Sequence, residues 1–156
     1  MSEQPRIIVD HIRGRRRGRR LVFPAGARVR FGRHPDSEVA FHPRRDLDAS
    51  SRHAELCPVP GRDGYVLRDV GSSNGTFADG HEVDELSVLR GRPVVIEFGP
   101  AGPAVRVFVG AEADAPAPVP GGLAAAAEFL RAHPRLVLAL AGLFALVAAV
   151  AWGWLV

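Results

Sequence analysis

The stretch Val94-Val95-Ile96-Glu97-Phe98-Gly99-Pro100-Ala101-Gly102-Pro103-Ala104-Val105-Arg106-Val107-Phe108-Val109 decides the fold class. Two short apolar runs flank five residues of Gly, Pro and Ala. Val105 to Val109 alternates, which predicts a strand with one wet face. Working outward toward the N-terminus, the same unit recurs. The runs are Ile7-Ile8-Val9, Leu21-Val22-Phe23, Val29-Arg30-Phe31, Val39-Ala40-Phe41, Ala54-Glu55-Leu56 and Tyr65-Val66-Leu67. Pro24-Ala25-Gly26, Pro58-Val59-Pro60-Gly61 and the Gly71 to Gly75 segment punctuate them. Short strands at roughly 8–12-residue spacing with Gly/Pro turns predict an all-β sandwich over residues 6–110. No helix-period segment interrupts it.

Working outward toward the C-terminus, the character changes twice. Residues 111–122 read Ala-Glu-Ala-Asp-Ala-Pro-Ala-Pro-Val-Pro-Gly-Gly, with no apolar periodicity, and are expected to be a linker. Residues 123–135 are Ala-rich with Glu128 and Arg131, predicting a short juxtamembrane helix interrupted at His133-Pro134. Residues 136–156 carry no charge. As a helix this segment would measure about 32 Å, the thickness of a hydrocarbon core. A small β domain offers no site to bury a helix that is apolar all round. A single transmembrane α-helix over 136–156 is therefore expected. Arg131, His133 and Arg135 precede it, which puts the N-terminal domain on the cytoplasmic side, and Trp152 and Trp154 suit the far interface. The chain resembles a tail-anchored protein, expected in the cell membrane of a bacterium. Ala141, Ala145, Ala149 and Gly153 recur every four residues, a spacing that permits a homodimer through this helix.

Composition excludes several chemistries. All 20 basic residues are Arg. Without Lys there is no P-loop, Schiff-base lysine or Ser–Lys pair. The lone cysteine, Cys57, cannot form an internal disulfide. The six histidines are scattered without short paired spacing, so no metal site and no cofactor are expected. Net charge is +3, but six arginines crowd between Arg13 and Arg20, where a hairpin would join Ile7–Ile12 to Leu21–Phe23. The run reads first as a solvated turn. Contact with acidic headgroups is the sharper alternative. Nucleic acid is not expected, because the run has no interleaved aromatics.

Four segments carry the chemistry: Phe31-Gly32-Arg33-His34, Ser50-Ser51-Arg52-His53, Leu67-Arg68-Asp69-Val70-Gly71-Ser72-Ser73-Asn74-Gly75-Thr76-Phe77 and Asp79-Gly80-His81-Glu82-Val83. In this order and spacing they resemble the forkhead-associated (FHA) domain family. The family's Gly-Arg, Ser-x-x-His and Asn-Gly motifs lie on loops of an eleven-stranded sandwich. The resemblance covers about residues 6–110, so the chain reads as an FHA domain over 1–110 followed by the linker and helices.

The resemblance implies a phosphothreonine-peptide-binding adaptor in Ser/Thr kinase signalling, with a phosphothreonine-containing protein as partner. Arg33 matches the arginine that contacts phosphate, and its planar fork suits a bidentate contact. Ser50 matches the phosphate-binding serine. Ser51 stands where many members have Arg, Lys or Asn. Ser73 matches the residue lining the threonine pocket, and Asn74 the one that hydrogen-bonds the peptide backbone. Gly32, His53 and Gly75 match structural positions, His53 bracing the serine loop. The alternative is a phosphate-independent assembly module of a membrane complex, a role in which sandwiches of this kind often lose their phosphate residues. A catalytic Ser50–His53–Asp69 triad is disfavoured, since no Gly-x-Ser-x-Gly elbow is present. A binding module rather than an enzyme is expected.

Overall fold

The computed structural model describes residues 5–62, 64–122, 127 and 131–132. The chain divides into two compact units, 1–119 and 120–156. The first contains eleven strands: β1 (Arg6–Arg13), β2 (Arg20–Pro24), β3 (Val29–Gly32), β4 (Val39–Ala40), β5 (Ala54–Pro58), β6 (Gly64–Asp69), β7 (Thr76–Ala78), β8 (His81–Glu82), β9 (Glu85–Leu89), β10 (Val94–Phe98) and β11 (Ala104–Gly110). They form a six-stranded sheet ordered β2-β1-β11-β10-β7-β8 and a five-stranded sheet ordered β4-β3-β5-β6-β9. All pairs are antiparallel except β3 with β4. The expected all-β sandwich is what forms. β7, β8 and β9 arise where no apolar run announced them. β9 buries only Val88, because it is an edge strand with one face to solvent.

Inward side chains of both sheets make one core, including Ile7, Val9, Val29, Leu56, Leu67, Ile96, Val105 and Val107, each at most 1 % exposed. Burying one such side chain stabilises by about 1.5–3 kcal/mol. One end of the core is aromatic. Phe98 at the end of β10 stacks on Phe31 with ring centroids 5.2 Å apart and meets Phe41 at 4.7 Å. The edge of His53 meets the same Phe98 ring at 5.1 Å. This cluster is the floor on which the loops of that end rest.

The wet face expected for β11 is not found. Ala104, Phe108 and Gly110 are buried on the side away from the core, together with Ile8 and Asp10 of β1. Around Asp10 and Arg106 that face is closed by a salt-bridge cluster and a strap. Asp10 pairs with Arg20 (2.6 Å) and Arg106 (2.7 Å). Arg20 also donates to the Pro116 carbonyl at 2.6 Å, and Arg106 to the Ala117 carbonyl at 2.5 Å. Burial by itself would raise the Asp10 carboxyl, but the two guanidiniums outweigh it and hold it below the usual range. The segment read as a linker is thus fastened to the sheet as far as Ala117. It has one 3-10 turn, Glu112–Asp114.

In the second unit, residues 122, 127, 131 and 132 are helical. The juxtamembrane helix expected over 123–135 lies largely outside the described residues, and the membrane span expected over 136–156 lies wholly outside them. Among the described residues no helix is long and apolar enough to cross a membrane.

Candidate functional site

Three loops meet above the aromatic floor: residues 33–38 after β3, 41–53 before β5, and 70–75 after β6. Backbone pairing joins the first two. The Arg33 and His34 N–H groups donate to the Ser50 and Ser51 carbonyls at 3.0 and 2.9 Å. The approach is close enough to require Gly32. A Cβ there would overlap the Ser51 carbonyl oxygen and lie 2.9 Å from its carbon.

The guanidinium of Arg33 is oriented by main chain, not by a carboxylate. Nε donates to the Ala49 carbonyl at 2.6 Å and Nη1 to the Pro43 carbonyl at 2.9 Å. Nη2 has no partner among the described residues. In the second loop, Ser50 Oγ accepts the Ser73 N–H at 2.9 Å and lies 3.5 Å from Ser73 Oγ. Asn74 Nδ2 donates to the Asp48 carbonyl at 2.9 Å, tying the third loop to the second. Arg33 and Ser50 are half-buried, while Ser51, Ser73 and Asn74 are exposed. The structure therefore joins Ser50 to Ser73 directly and ties Arg33 and Asn74 to the loop that carries Ser50, while the Ser51 side chain has no hydrogen bond to the others among the described residues. Arg52 does not join them. It lines a groove of about 650 Å³ with Arg28, Arg30, Glu55 and Val70.

His53 is fully buried and spends both ring nitrogens on main chain. Nδ1 accepts the Ser50 N–H at 2.8 Å, which makes Nε2 the protonated nitrogen, and Nε2 donates to the Gly75 carbonyl at 3.1 Å. Burial pushes its pKa down, offset in part by the Gly75 contact and the Asp69 charge. Neither nitrogen is hydrogen-bonded to Ser50 Oγ, so the trio Ser50, His53 and Asp69 is not arranged as a triad. Gly75 itself has φ +79, in the region that favours glycine, and its carbonyl also accepts the Gly99 N–H at 2.9 Å.

Sequence reading missed the organiser of the third loop. Asp69 Oδ1 accepts the N–H groups of Gly71 (2.8 Å) and Ser72 (2.7 Å). Asp69 Oδ2 accepts the hydroxyls of Ser72 (2.6 Å) and Thr76 (2.6 Å). Burial alone would raise this carboxyl; these donors hold it below the usual range. The signal was present as an Asp followed two and three residues later by Gly and Ser, the signature of a side chain capping its own turn. Asp46, 6 % exposed, does the same for the second loop by accepting the His42 N–H at 2.8 Å. Among the described residues, no group of three or more His, Cys, Asp or Glu is placed to hold a metal.

Comparison with known proteins agrees with this geometry. Residues 29–99 match the family model of the FHA domain. The chain is 40% identical over 74 residues to the ABC transporter ATP-binding/permease protein Rv1747 of Mycobacterium tuberculosis, covering 47% of this chain and 8% of that protein. It is 38% identical over 65 residues to the glycogen accumulation regulator GarA of Mycolicibacterium smegmatis, covering 42% of this chain and 38% of that one. It thus spans well under half the length of either relative. The crystal structure of the Rv1747 FHA-1 domain superposes with a TM-score of 0.54 at 28% identity, covering 69% of this chain and 98% of that domain. With the sandwich, the motif loops and the family model in agreement, residues 29–99 are the part of the chain that carries an FHA domain.

Proposed function

We propose that this FHA domain is a phosphothreonine-peptide-binding adaptor that docks substrates of a Ser/Thr kinase. The observation that carries this reading is the Arg33 fork, held by the Ala49 and Pro43 carbonyls with Nη2 uncommitted among the described residues, on a loop whose backbone pairs with that of Ser50. A phosphothreonine brings about −1.5 to −2 charges and three strong acceptor oxygens. Arg33 meets it with a guanidinium whose orientation is settled before binding, so little rotamer entropy remains to be lost. Ser50 adds a hydroxyl whose oxygen is already fixed by the Ser73 N–H, and Ser51 adds a second hydroxyl where a cation would strengthen the site. Ser73 borders the place for the threonine methyl. Asn74 uses one N–H on Asp48, leaving its carbonyl and second N–H to pair with peptide backbone. His53, Gly32 and Gly75 position the loops and touch no ligand. Thr76, the only threonine in these 156 residues, is 1 % exposed and bonded to Asp69, so it is not the phosphothreonine that the site takes.

The test measures binding of the full chain, kept in solution with a non-ionic detergent, to a phosphothreonine peptide library and its unphosphorylated counterpart. Arg33→Ala should weaken phosphopeptide binding by about 10–100-fold, the value of a charge-assisted hydrogen bond or two. Binding indifferent to both phosphate and Arg33 would replace this reading with the phosphate-independent assembly module.

The proposal includes attachment to a membrane through residues 136–156. Its support is the charge-free run and its length. Release of the chain from cell membranes by alkaline carbonate would refute it.

A further inference from the structure

Resting on the phosphopeptide reading, we propose that the β1–β2 hairpin tip and the neighbouring 42–46 loop form a cationic shelf that reads an acidic segment flanking the partner's phosphothreonine.

The six arginines of the hairpin do not share one role. The two at its base are consumed by the fold. Arg13 donates to the Gly102 carbonyl (2.6 Å) and Glu97 (2.5 Å), and Arg20 is paired with Asp10. At the tip, the side chains of Arg15, Arg17 and Arg19 are exposed and have no ion-pair partner among the described residues. They are not needed to make the turn. Gly14 (φ +99) and Gly18 (φ +88) supply its left-handed positions, and backbone bonds from Gly18 N–H to the His11 carbonyl and from Arg17 N–H to the Gly14 carbonyl close it. Like charges crowded on a few residues repel one another, so the turn is a costly place for them unless something outside compensates.

The tip is also built into the phosphopeptide end of the sandwich. One carboxylate makes the join: Asp46 Oδ1 accepts the Arg15 N–H at 3.1 Å while Asp46 Oδ2 accepts the His42 N–H at 2.8 Å. Asp46 is buried and committed to these donors, so it pins the two segments together. The next residues along the loop are Arg44 and Arg45, exposed and likewise without an ion-pair partner among the described residues. The loop then reaches Pro43, whose carbonyl orients Arg33. Arg15, Asp46, Arg44 and Arg33 are thus linked step by step through backbone contacts, and the surface runs from the hairpin to the phosphate fork.

A ligand that places its phosphate on Arg33 carries its flanking residues across this end. Carboxylates are the groups that guanidinium forks fit, in flat bidentate pairs. Exposed pairs of this kind are individually weak, so selectivity comes from several acting together and fades with salt. Asp48, on the same loop next to the Asn74 contact, is exposed and sets the opposite preference at that point. The shelf therefore favours an acidic run on one flank of the phosphothreonine and not a uniformly acidic peptide.

The experiment compares three phosphothreonine peptides with the full chain in non-ionic detergent. One has Asp/Glu on the N-terminal flank, one on the C-terminal flank, and one is neutral on both. The expected result is about tenfold tighter binding of one acidic peptide over the neutral one at low salt, shrinking at high salt. The triple variant Arg15→Gln, Arg17→Gln, Arg19→Gln should erase that preference while binding the neutral phosphopeptide within about twofold of the parent. Equal binding of all three peptides by the parent chain overturns the shelf and leaves the phosphopeptide reading intact. A variant that loses the neutral peptide as much as the acidic one also overturns it, since the arginines would then act through the fold. No phosphate-dependent binding of any peptide overturns both readings. If the variant keeps peptide selectivity but loses a preference for phosphatidylserine/phosphatidylcholine over pure phosphatidylcholine vesicles, the arginines serve the bilayer and the proposal fails.

Discussion

His53→Phe isolates the polar bracing of the site from its packing. A phenyl ring can keep the edge contact to Phe98, now 5.1 Å between centroids. It cannot accept the Ser50 N–H or donate to the Gly75 carbonyl. Leaving a buried donor or acceptor unpaired costs about 1–3 kcal/mol. Only the Ser50 N–H loses its sole partner, and because it is partly buried the lower half of that range applies to it; the Gly75 carbonyl keeps the Gly99 N–H and loses one bond worth about 0.5–1.5 kcal/mol. The expected destabilisation is roughly 1.5–3.5 kcal/mol, a large share of the ~5–15 kcal/mol that holds a domain together. Urea denaturation should show the midpoint falling with the slope unchanged. Because the lost bonds tie the Ser50 loop to the Gly75 loop, phosphopeptide affinity should fall under conditions where the variant remains folded. A variant within about 0.5 kcal/mol of the parent, with unchanged affinity, would refute the claim that this imidazole couples the two loops.

Two further outcomes follow from the same loops and core. Gly32→Ala forces a methyl group against the Ser51 carbonyl, which is main chain and cannot swing aside. Overpacking of this kind costs about 1–3 kcal/mol; thermal unfolding should record it, and an unchanged melting point would show that β3 and the serine loop separate freely. Stability should also fall on mild acidification. Burial first, then the charges of Arg16 and Arg19, depress the His11 pKa to about 4, with Asp46 and Asp10 opposing, and burial depresses His53 too. The native state therefore binds fewer protons than the unfolded chain between the ordinary histidine value near 6.5 and these lowered ones. Stability is fully present above about pH 6.5 and is lost as pH falls toward 4, by roughly 3 kcal/mol from His11 alone. A urea midpoint that is flat from pH 7 to 4.5 would contradict this.

Much of the fold was legible because it follows local rules. Eight apolar runs coincide with eight of the strands, since each of those strands has a face against the core. β7, β8 and β9 were silent for the opposite reason: they are short or lie at an edge, and burying little they need few apolar residues. β11 shows where periodicity misleads. Arg106 looks like the mark of a wet face, yet it is drawn in by Asp10, 96 positions away in sequence, and by the Ala117 carbonyl.

The candidate site divides in the same way. By itself, the sequence determined which residues stand on the loops and what each side chain can donate or accept, because glycine placement, the arginine fork and the amide of Asn74 are properties of residue type. Only the tertiary structure decided how these groups are held. The carbonyls of Pro43 and Ala49 that aim Arg33 and the Gly75 carbonyl that meets His53 belong to contacts made when the chain closes. So does the bridge from Asp46 to Arg15, which spans 31 positions of sequence. Main-chain donors and acceptors are the same at every residue, so outside local turns such as the one Asp69 caps no sequence pattern can mark which of them a given side chain will meet. That choice is made by strand pairing and by the close packing of the aromatic floor.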